Sequence, residues 1–184
     1  MAKKLSPFNF TKAVMRSFMA ESGLEPRYEQ TPVMDLSWIC TDRTQDCFTA
    51  EYFRIINATE GKVDFEVDIH KDHTNRLQTI HGGTIASLVD LGGSLAVAST
   101  GRFATGVSTD LNVTYLSPGG RPGDLLKGTA TCDKIGKTLA YTSVQFYNSK
   151  GQLAARGSHT KYVAGTMGPD GAFVAPAQWV DEVD

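Results

Sequence analysis

The chain has 184 residues, enough for one domain with a sizeable core and short appendages. Its composition, 41% hydrophobic and 21% charged, is that of an ordinary soluble globular protein. A net charge of −2 excludes a general electrostatic pull toward nucleic acid, so any anion site must be local.

In chain order, the first predicted element lies within Met1 to Ala20, where Lys3, Lys4, Lys12 and Arg16 precede the first acid, Glu21. Two readings stand: a mitochondrial presequence, or an amphipathic helix. The helix would have Ser6 as N-cap, Pro7 in the first turn, Phe10, Val14 and Phe18 along one face, and Gly23 at its end. Leu24 to Cys47 has little periodicity. It reads as a long irregular connection whose apolar patch, Val33, Leu36, Trp38 and Ile39, packs on the domain.

From Phe48 the pattern becomes strand-like. "AEYFRII" is followed by "GKVDFEVDI", with Val63, Phe65, Val67 and Ile69 on one face and Asp64, Glu66 and Asp68 on the other. Asn57 to Gly61 is the expected turn between them. Thr84 to Thr100 then reads as a long helix, apolar almost all round and so expected to be surrounded by protein. "GVSTDLNVTYLSP" alternates again, with Val107, Thr109, Leu111, Val113 and Tyr115 facing one way and Ser108, Asp110, Asn112 and Thr114 the other. "DLLKGTATCDK", "KTLAYTSVQFYN" and "QLAARGSHTKYV" make three more strands, joined through hairpin residues at Ile135-Gly136 and Ser149-Lys150-Gly151. Ala164 to Asp184 is a tail with two readings: it docks partly through Phe173 and Trp179, or it stays loose.

The predicted fold class is therefore α+β: a curved antiparallel sheet with one long helix on its concave face. The expected divisions are 1–47 as an N-terminal helix and extension, 48–163 as the core domain, and 164–184 as a tail. Stable membrane insertion is not expected, because the apolar helix is about the minimum spanning length and carries Asp90. Cys40, Cys47 and Cys132 form no CxxC pair, which suits a reducing compartment. The four histidines lack metal-ligand spacing, so no metal is expected.

The apolar helix poses the chemical question. Gly82 and Gly83 stand at its start, where bare first-turn amides and the macrodipole favour a partial or full negative charge, an oxyanion site in outline. Asp90 is the one charge in the run. A buried carboxylate needs partners or takes a proton, and Ser87 and Ser94 are the neighbouring hydroxyls that would satisfy it in a purely structural role. Eight positions of helix separate Gly82 from Asp90 by roughly 12 Å. A base must come within about 3 Å of the atom it serves or act through one water. Asp90 therefore cannot serve a carbonyl held at its own helix start, but it can serve a neighbouring subunit if two such helices pack antiparallel. A dimer with interfacial sites is expected.

Four stretches, "HTNRLQTIHGGTIASLVD", "GVSTDLNVTYLSP", "GKTLAYTSV" and "GSHTKYV", closely resemble the hotdog-fold acyl-CoA thioesterases of the PaaI-like group, over about Phe48 to Val163. The resemblance implies a hotdog fold and a homodimer, paired again into a homotetramer. It implies an enzyme of fatty acid metabolism that hydrolyses fatty acyl-CoA or aryl-acyl-CoA to free acid and CoA, with no cofactor. Gly82 would donate its amide to the thioester carbonyl. Asp90 of the opposite subunit would activate water or attack the carbonyl itself. Asn75 would position the water or substrate, or else merely cap its loop. Ser108 would lie across the interface near Asp90 and orient the nucleophile, and His81 would brace the loop. For the coenzyme A phosphates, "DKIGKT" supplies Lys134 and Lys137 around Gly136 on a tight turn. The family's nucleotide groove adds Tyr115, Ser117 and Thr138, with Lys161 and Arg121 as nearby candidates. The Leu24 to Cys47 segment, the tail after Ala164 and the "RPGD" turn depart from the compact members of the family.

Two rivals remain at this level. One is a hotdog enoyl-thioester hydratase or dehydratase, and the other a non-catalytic acyl-CoA-binding module. The compartment, cytoplasmic or mitochondrial, stays open in the sequence.

Overall fold

The computed structural model describes residues 4–21 and 52–180. The Val33 to Ile39 patch, Gly23 and the Phe48 boundary lie outside them. An N-terminal helix, α1, spans Pro7–Glu21. Strands β1 (Phe53–Thr59) and β2 (Lys62–Asp68) follow, then the long helix α2 (Gly82–Ala98), then β3 (Val107–Tyr115), β4 (Leu125–Ile135), β5 (Leu139–Tyr147) and β6 (Leu153–Tyr162). All six strands form one antiparallel sheet in the order β1-β2-β4-β5-β6-β3. This is the expected α+β architecture, two strands, a helix and four strands, with the sheet wrapped around α2.

The alternation in β2 does what the pattern requires. Val63, Phe65 and Val67 are buried against α2, while Lys62, Asp64, Glu66 and Asp68 stay on the outer face. Leu88, Val89, Leu95, Ala96, Val97 and Ala98 of α2 are fully buried, as are Leu126, Val144 and Phe146 of the sheet. Each such large side chain contributes about 1.5–3 kcal/mol of burial. Close wrapping depends on Gly128, where a Cβ would sit 2.2 Å from the Phe65 ring.

Helix α1 belongs to this body. Asn9 N–H donates to Ser6 Oγ (3.2 Å), which caps the helix, and Phe10, Ala13 and Val14 are fully buried. The tail closes over it: Leu5 N–H donates to the Phe173 carbonyl (3.0 Å), and Phe10 meets Phe173 edge-on at 5.6 Å. Phe173 and Trp179 both pack on this second core, as expected of a docking tail. Among the described residues no helix is long and apolar enough to cross a membrane.

Three expectations need correction. The first turn is shorter than Asn57 to Gly61, because β1 continues to Thr59 and only Glu60-Gly61 turn the chain. The alternation predicted for β3 is broken by a bulge at Thr109, where the register with β6 shifts between Ser108 and Asp110. An extra residue there rotates the strand, so Ser108 joins the helix-facing side with Leu111, Val113 and Tyr115. Nor is α2 covered all round. Gly82, Gly83, Ala86, Ser87 and Asp90 are only partly buried and lie along one helical stripe beside β3. Edge strand β3 has no buried residue, with Val107 65%, Leu111 39% and Tyr115 53% exposed. A long edge of this kind is a template for another strand.

Candidate active site

The start of α2 is held by the loop before it. Ile80 N–H donates to Gly120 O (2.9 Å) and His81 N–H to His73 O (2.8 Å), while Thr84 Oγ1 donates to the same His73 carbonyl (3.2 Å). His81 is the N-cap, in extended conformation, and its Nδ1 accepts the Gly83 N–H at 2.8 Å. That bond fixes the lone pair on Nδ1 and uses up one first-turn donor. The Gly82 N–H, at the first helical position, has no intrahelical acceptor and is left for an external oxygen. Tyr115 packs against Gly82 and donates its hydroxyl to the Gly82 carbonyl (2.7 Å). A bare amide at a positive helix end, with one aromatic wall, can carry a developing oxyanion.

Asn75 lies on this loop. Its Oδ1 accepts from Leu77 N–H (2.8 Å), Thr79 N–H (3.3 Å) and Thr79 Oγ1 (3.2 Å), which staples the loop into a turn closed by the Thr74–Ile80 bridge. The oxygen end is thus spent on the backbone, and the amide nitrogen takes no part in these bonds.

Two turns further along α2, Asp90 is not buried as expected but half exposed, at 50% of its side chain. Its partners differ from those expected too. Ser87 Oγ donates to Gly83 O (3.0 Å), and Ser94 Oγ accepts from Lys161 Nζ (2.8 Å). The groups that reach Asp90 come from β3 and β6. Ser108 Oγ donates to Oδ1 at 3.2 Å, His159 Nε2 lies 3.3 Å from Oδ1, and Lys161 Nζ lies 3.8 Å from Oδ1. His159 Nε2 is also 2.8 Å from Ser108 Oγ. Every one of these contacts falls on Oδ1, and Oδ2 takes none from the described residues. Ser108 therefore meets Asp90 within one chain rather than across an interface, because the Thr109 bulge turns it inward.

His159 is fully buried, with Nδ1 lacking a partner. Burial pushes its pKa down first, and neighbouring Lys161 adds to the shift, while Asp90 opposes it. Burial favours the neutral ring, whose Nε2 faces both Ser108 and Asp90. Lys161 is 3% exposed, and burial lowers its pKa against the pull of Asp90. It cannot serve as a surface phosphate ligand, which overturns the expectation for that residue. His159 and Lys161 sit two apart on β6 and share its inner face, so two inward ionisable residues in one strand were the signal in "SHTKYV".

The expected coenzyme A residues do not converge in one chain. Tyr115 pairs with Ala155 and on to Phe146, whereas Leu139, just past Lys134 to Thr138, pairs with Tyr162 and on to Val107. The two groups stand at opposite ends of the sheet, about 25 Å apart along the strands. Ser117 Oγ donates to Leu153 O (3.1 Å) at the Tyr115 end. Gly136 N–H donates to Leu139 O (2.8 Å) and Thr138 O accepts from Val163 N–H (2.8 Å) at the other. Arg121 N–H donates to Asp124 Oδ2 (2.8 Å), beside a shallow cavity of about 350 Å³ that Lys150 also lines.

Residues 77–155 match the family model described as "Thioesterase superfamily". The match takes in Gly82, Asp90, Ser108 and Tyr115 but ends before His159 and Lys161. Human acyl-coenzyme A thioesterase 13 is 44% identical over 110 residues, covering 59% of this chain and 78% of that protein. The crystal structure of zebra fish thioesterase superfamily member 2 superposes with a TM-score of 0.65 at 32% identity, covering 87% of this chain and 99% of the other. A Streptococcus mutans protein solved bound to acetyl CoA gives a TM-score of 0.57 at 27% identity, over 62% of this chain and 90% of its own.

Proposed function

The chain belongs to the thioesterase superfamily, and from that premise we propose that it is an acyl-CoA thioesterase whose site is shared between two subunits. The observation that carries the shared site is the layout of edge strand β3. Its Tyr115 end touches Gly82 and its Ser108 end touches Asp90, seven residues apart on an exposed strand. Antiparallel pairing of two β3 strands about a two-fold axis near Leu111 and Asn112 sets Tyr115 of one chain beside Ser108 of the other. Gly82 then faces the partner's Asp90 across two antiparallel α2 helices, which closes the gap of roughly 12 Å that separates them in a single chain. The same pairing carries the partner's Lys134, Gly136, Lys137 and Thr138 toward Tyr115 and Ser117. This brings Lys134 and Lys137 to the coenzyme A phosphates, beside the Lys150 turn already at that end of the sheet. A second pairing of dimers, as the family resemblance implies, makes a tetramer.

The thioester lies along the open stripe of α2, with its carbonyl oxygen on the Gly82 N–H. Oδ2 of the partner's Asp90 takes a proton from water as that water attacks the carbonyl carbon. The tetrahedral intermediate then collapses, the carbon–sulfur bond breaks, and the proton held by the carboxyl passes to the departing sulfur. The products are the free acid and CoA. Ser108 and His159 fix the rotamer of Asp90, and Asn75 keeps the loop before Gly82 in shape while its free amide nitrogen faces substrate or water. A medium to long fatty acyl group, or an aryl-acyl group, occupies an apolar channel between the subunits.

The experiment is thiol release from acyl-CoAs of graded length and polarity, with wild type and Asp90→Asn in parallel. Asp90→Asn is expected to bind acyl-CoA normally and to lose about 10²–10⁴ in kcat. Equal turnover of palmitoyl-CoA by both proteins sinks the proposal.

A further inference from the structure

Lys161 is the ionisable group that this mechanism leaves without a task, and its surroundings are unusual. Its ammonium is buried on the inner face of β6, opposite Ser108, and donates to Ser94 Oγ at 2.8 Å. Ser94 is itself only 7% exposed and stands one helical turn after Asp90. Among the described residues, Asp90 is the only carboxylate within ion-pair reach of Lys161, at 3.8 Å. A buried ammonium is costly unless paired, so the fold keeps this one in place against a single half-exposed acid.

Resting on the reading of Asp90 as the base, we propose that Lys161 is a positioning residue for hydrolysis: its buried ammonium, tethered to Ser94, is the fixed countercharge that anchors Asp90 through Oδ1 when substrate and partner chain close over it. Half of the Asp90 side chain faces solvent in the single chain. Closure replaces that solvent with an acyl thioester and protein, and a carboxylate stripped of water takes up a proton unless a countercharge stands nearby. Lys161 stands behind Oδ1, away from the open stripe, so it supplies the charge without blocking Oδ2. The other groups that face Asp90 do not supply it. Ser108 on β3 is neutral and burial favours the uncharged ring of His159 on β6, while Asp110 on β3 acts on His159 with the opposite sign and Ser94 on α2 only anchors the ammonium.

The test is the pH profile of kcat, which reports the substrate-filled site, for wild type, Lys161→Met, Lys161→Gln and Lys161→Arg from about pH 5 to about pH 10. In both neutral variants the acid limb is expected to move up by about one pH unit or more, a tenfold loss on that limb. Turnover returns to within about threefold of wild type on the alkaline plateau, and KM changes little. Lys161→Arg keeps the wild-type limb. A uniform loss at every pH with the limb unmoved overturns the proposal, as does a rise in KM alone. If neither neutral variant folds, thermal unfolding of Asp90→Asn carries the test. Removing the countercharge is expected to lower its midpoint below that of wild type near pH 7, with the gap closing toward about pH 10 as the amine loses its charge. An equal or higher midpoint at both pH values overturns the proposal. The underlying reading of Asp90 fails separately, through undiminished turnover in Asp90→Asn.

Discussion

At its Tyr115 end, strand β3 meets helix α2 through one neutral bond, a phenol hydroxyl on the Gly82 carbonyl; at its Ser108 end it meets the same helix through a carboxylate with three donor groups around one oxygen. The first end works by backbone: small residues, a capped turn and one free amide. The second works by charge: buried His159 and Lys161 surround an acid that keeps its other oxygen free. An amide donor is preorganised by loop hydrogen bonds alone, whereas a carboxylate in an apolar helix needs polar partners that only neighbouring strands can bring. In the proposed dimer, the separation of the two ends along one strand leaves each chain with two half-sites.

Breaking the charged end has the largest expected effect, with the loss of about 10²–10⁴ in kcat for Asp90→Asn read as thiol release. Gly93→Ala attacks the support beneath it. A Cβ there would lie 2.6 Å from Thr142 Oγ1 and 2.7 Å from His159 Nδ1, so the ring must shift. A destabilisation of about 1–3 kcal/mol in urea melts is expected, with turnover reduced further than stability alone explains. Ser108→Ala removes one donor from Oδ1 and leaves His159 and Lys161, so a loss of about tenfold in kcat with KM unchanged is expected. Tyr115→Phe, at the neutral end, forfeits one exposed hydrogen bond. It is expected to cost about 0.5–1.5 kcal/mol of stability, with a rate loss smaller than that of Ser108→Ala.

A pH measurement sharpens the same contrast. The folded-state pKa of His159 is depressed by burial and by Lys161, so the unfolded chain binds the extra proton first. The stability that His159 contributes is complete above its ordinary value of about 6.5 and is lost as pH falls below it. Thermal midpoints are expected to decline from about pH 7 to about pH 5 in wild type and to decline less in His159→Gln. The neutral end of β3 adds nothing to that slope, so Tyr115→Phe should run parallel to wild type.

Much of this architecture is legible in the sequence because the period of the pattern follows from burial. Alternating Val63, Phe65 and Val67 make a half-buried strand, and the apolar run through Leu88 and Leu95 makes a core helix. Asp90 stands out in the sequence as the one charge in that run. The alternation puts Ser108 on the wrong face, since a bulge adds one residue and reverses the pattern at that point without leaving any trace in hydrophobicity. The candidacy of Lys161 for the nucleotide groove fails because its burial depends on an inward position on β6 beside Ser94 and Asp90, which are distant in sequence. The contact of buried His159 with Asp90 likewise depends on residues distant in sequence. The split between Tyr115 with Ser117 and Lys134 with Lys137 follows from strand register, which places the C-terminal end of β3 and the β4–β5 hairpin at opposite ends of the sheet.

The shared site is tested most directly by mixing two inactive chains. Asp90→Asn keeps the amide donor, and Gly82→Pro removes it at a first-turn position whose backbone suits proline, with the Tyr115 ring giving way. Co-refolded in equal amounts, the two variants are expected to recover about a quarter of wild-type turnover, since about half the dimers are mixed and each mixed dimer holds one intact site of two. Recovery of no activity, with mixed dimers demonstrably formed, would contradict a site built from Gly82 of one chain and Asp90 of its partner.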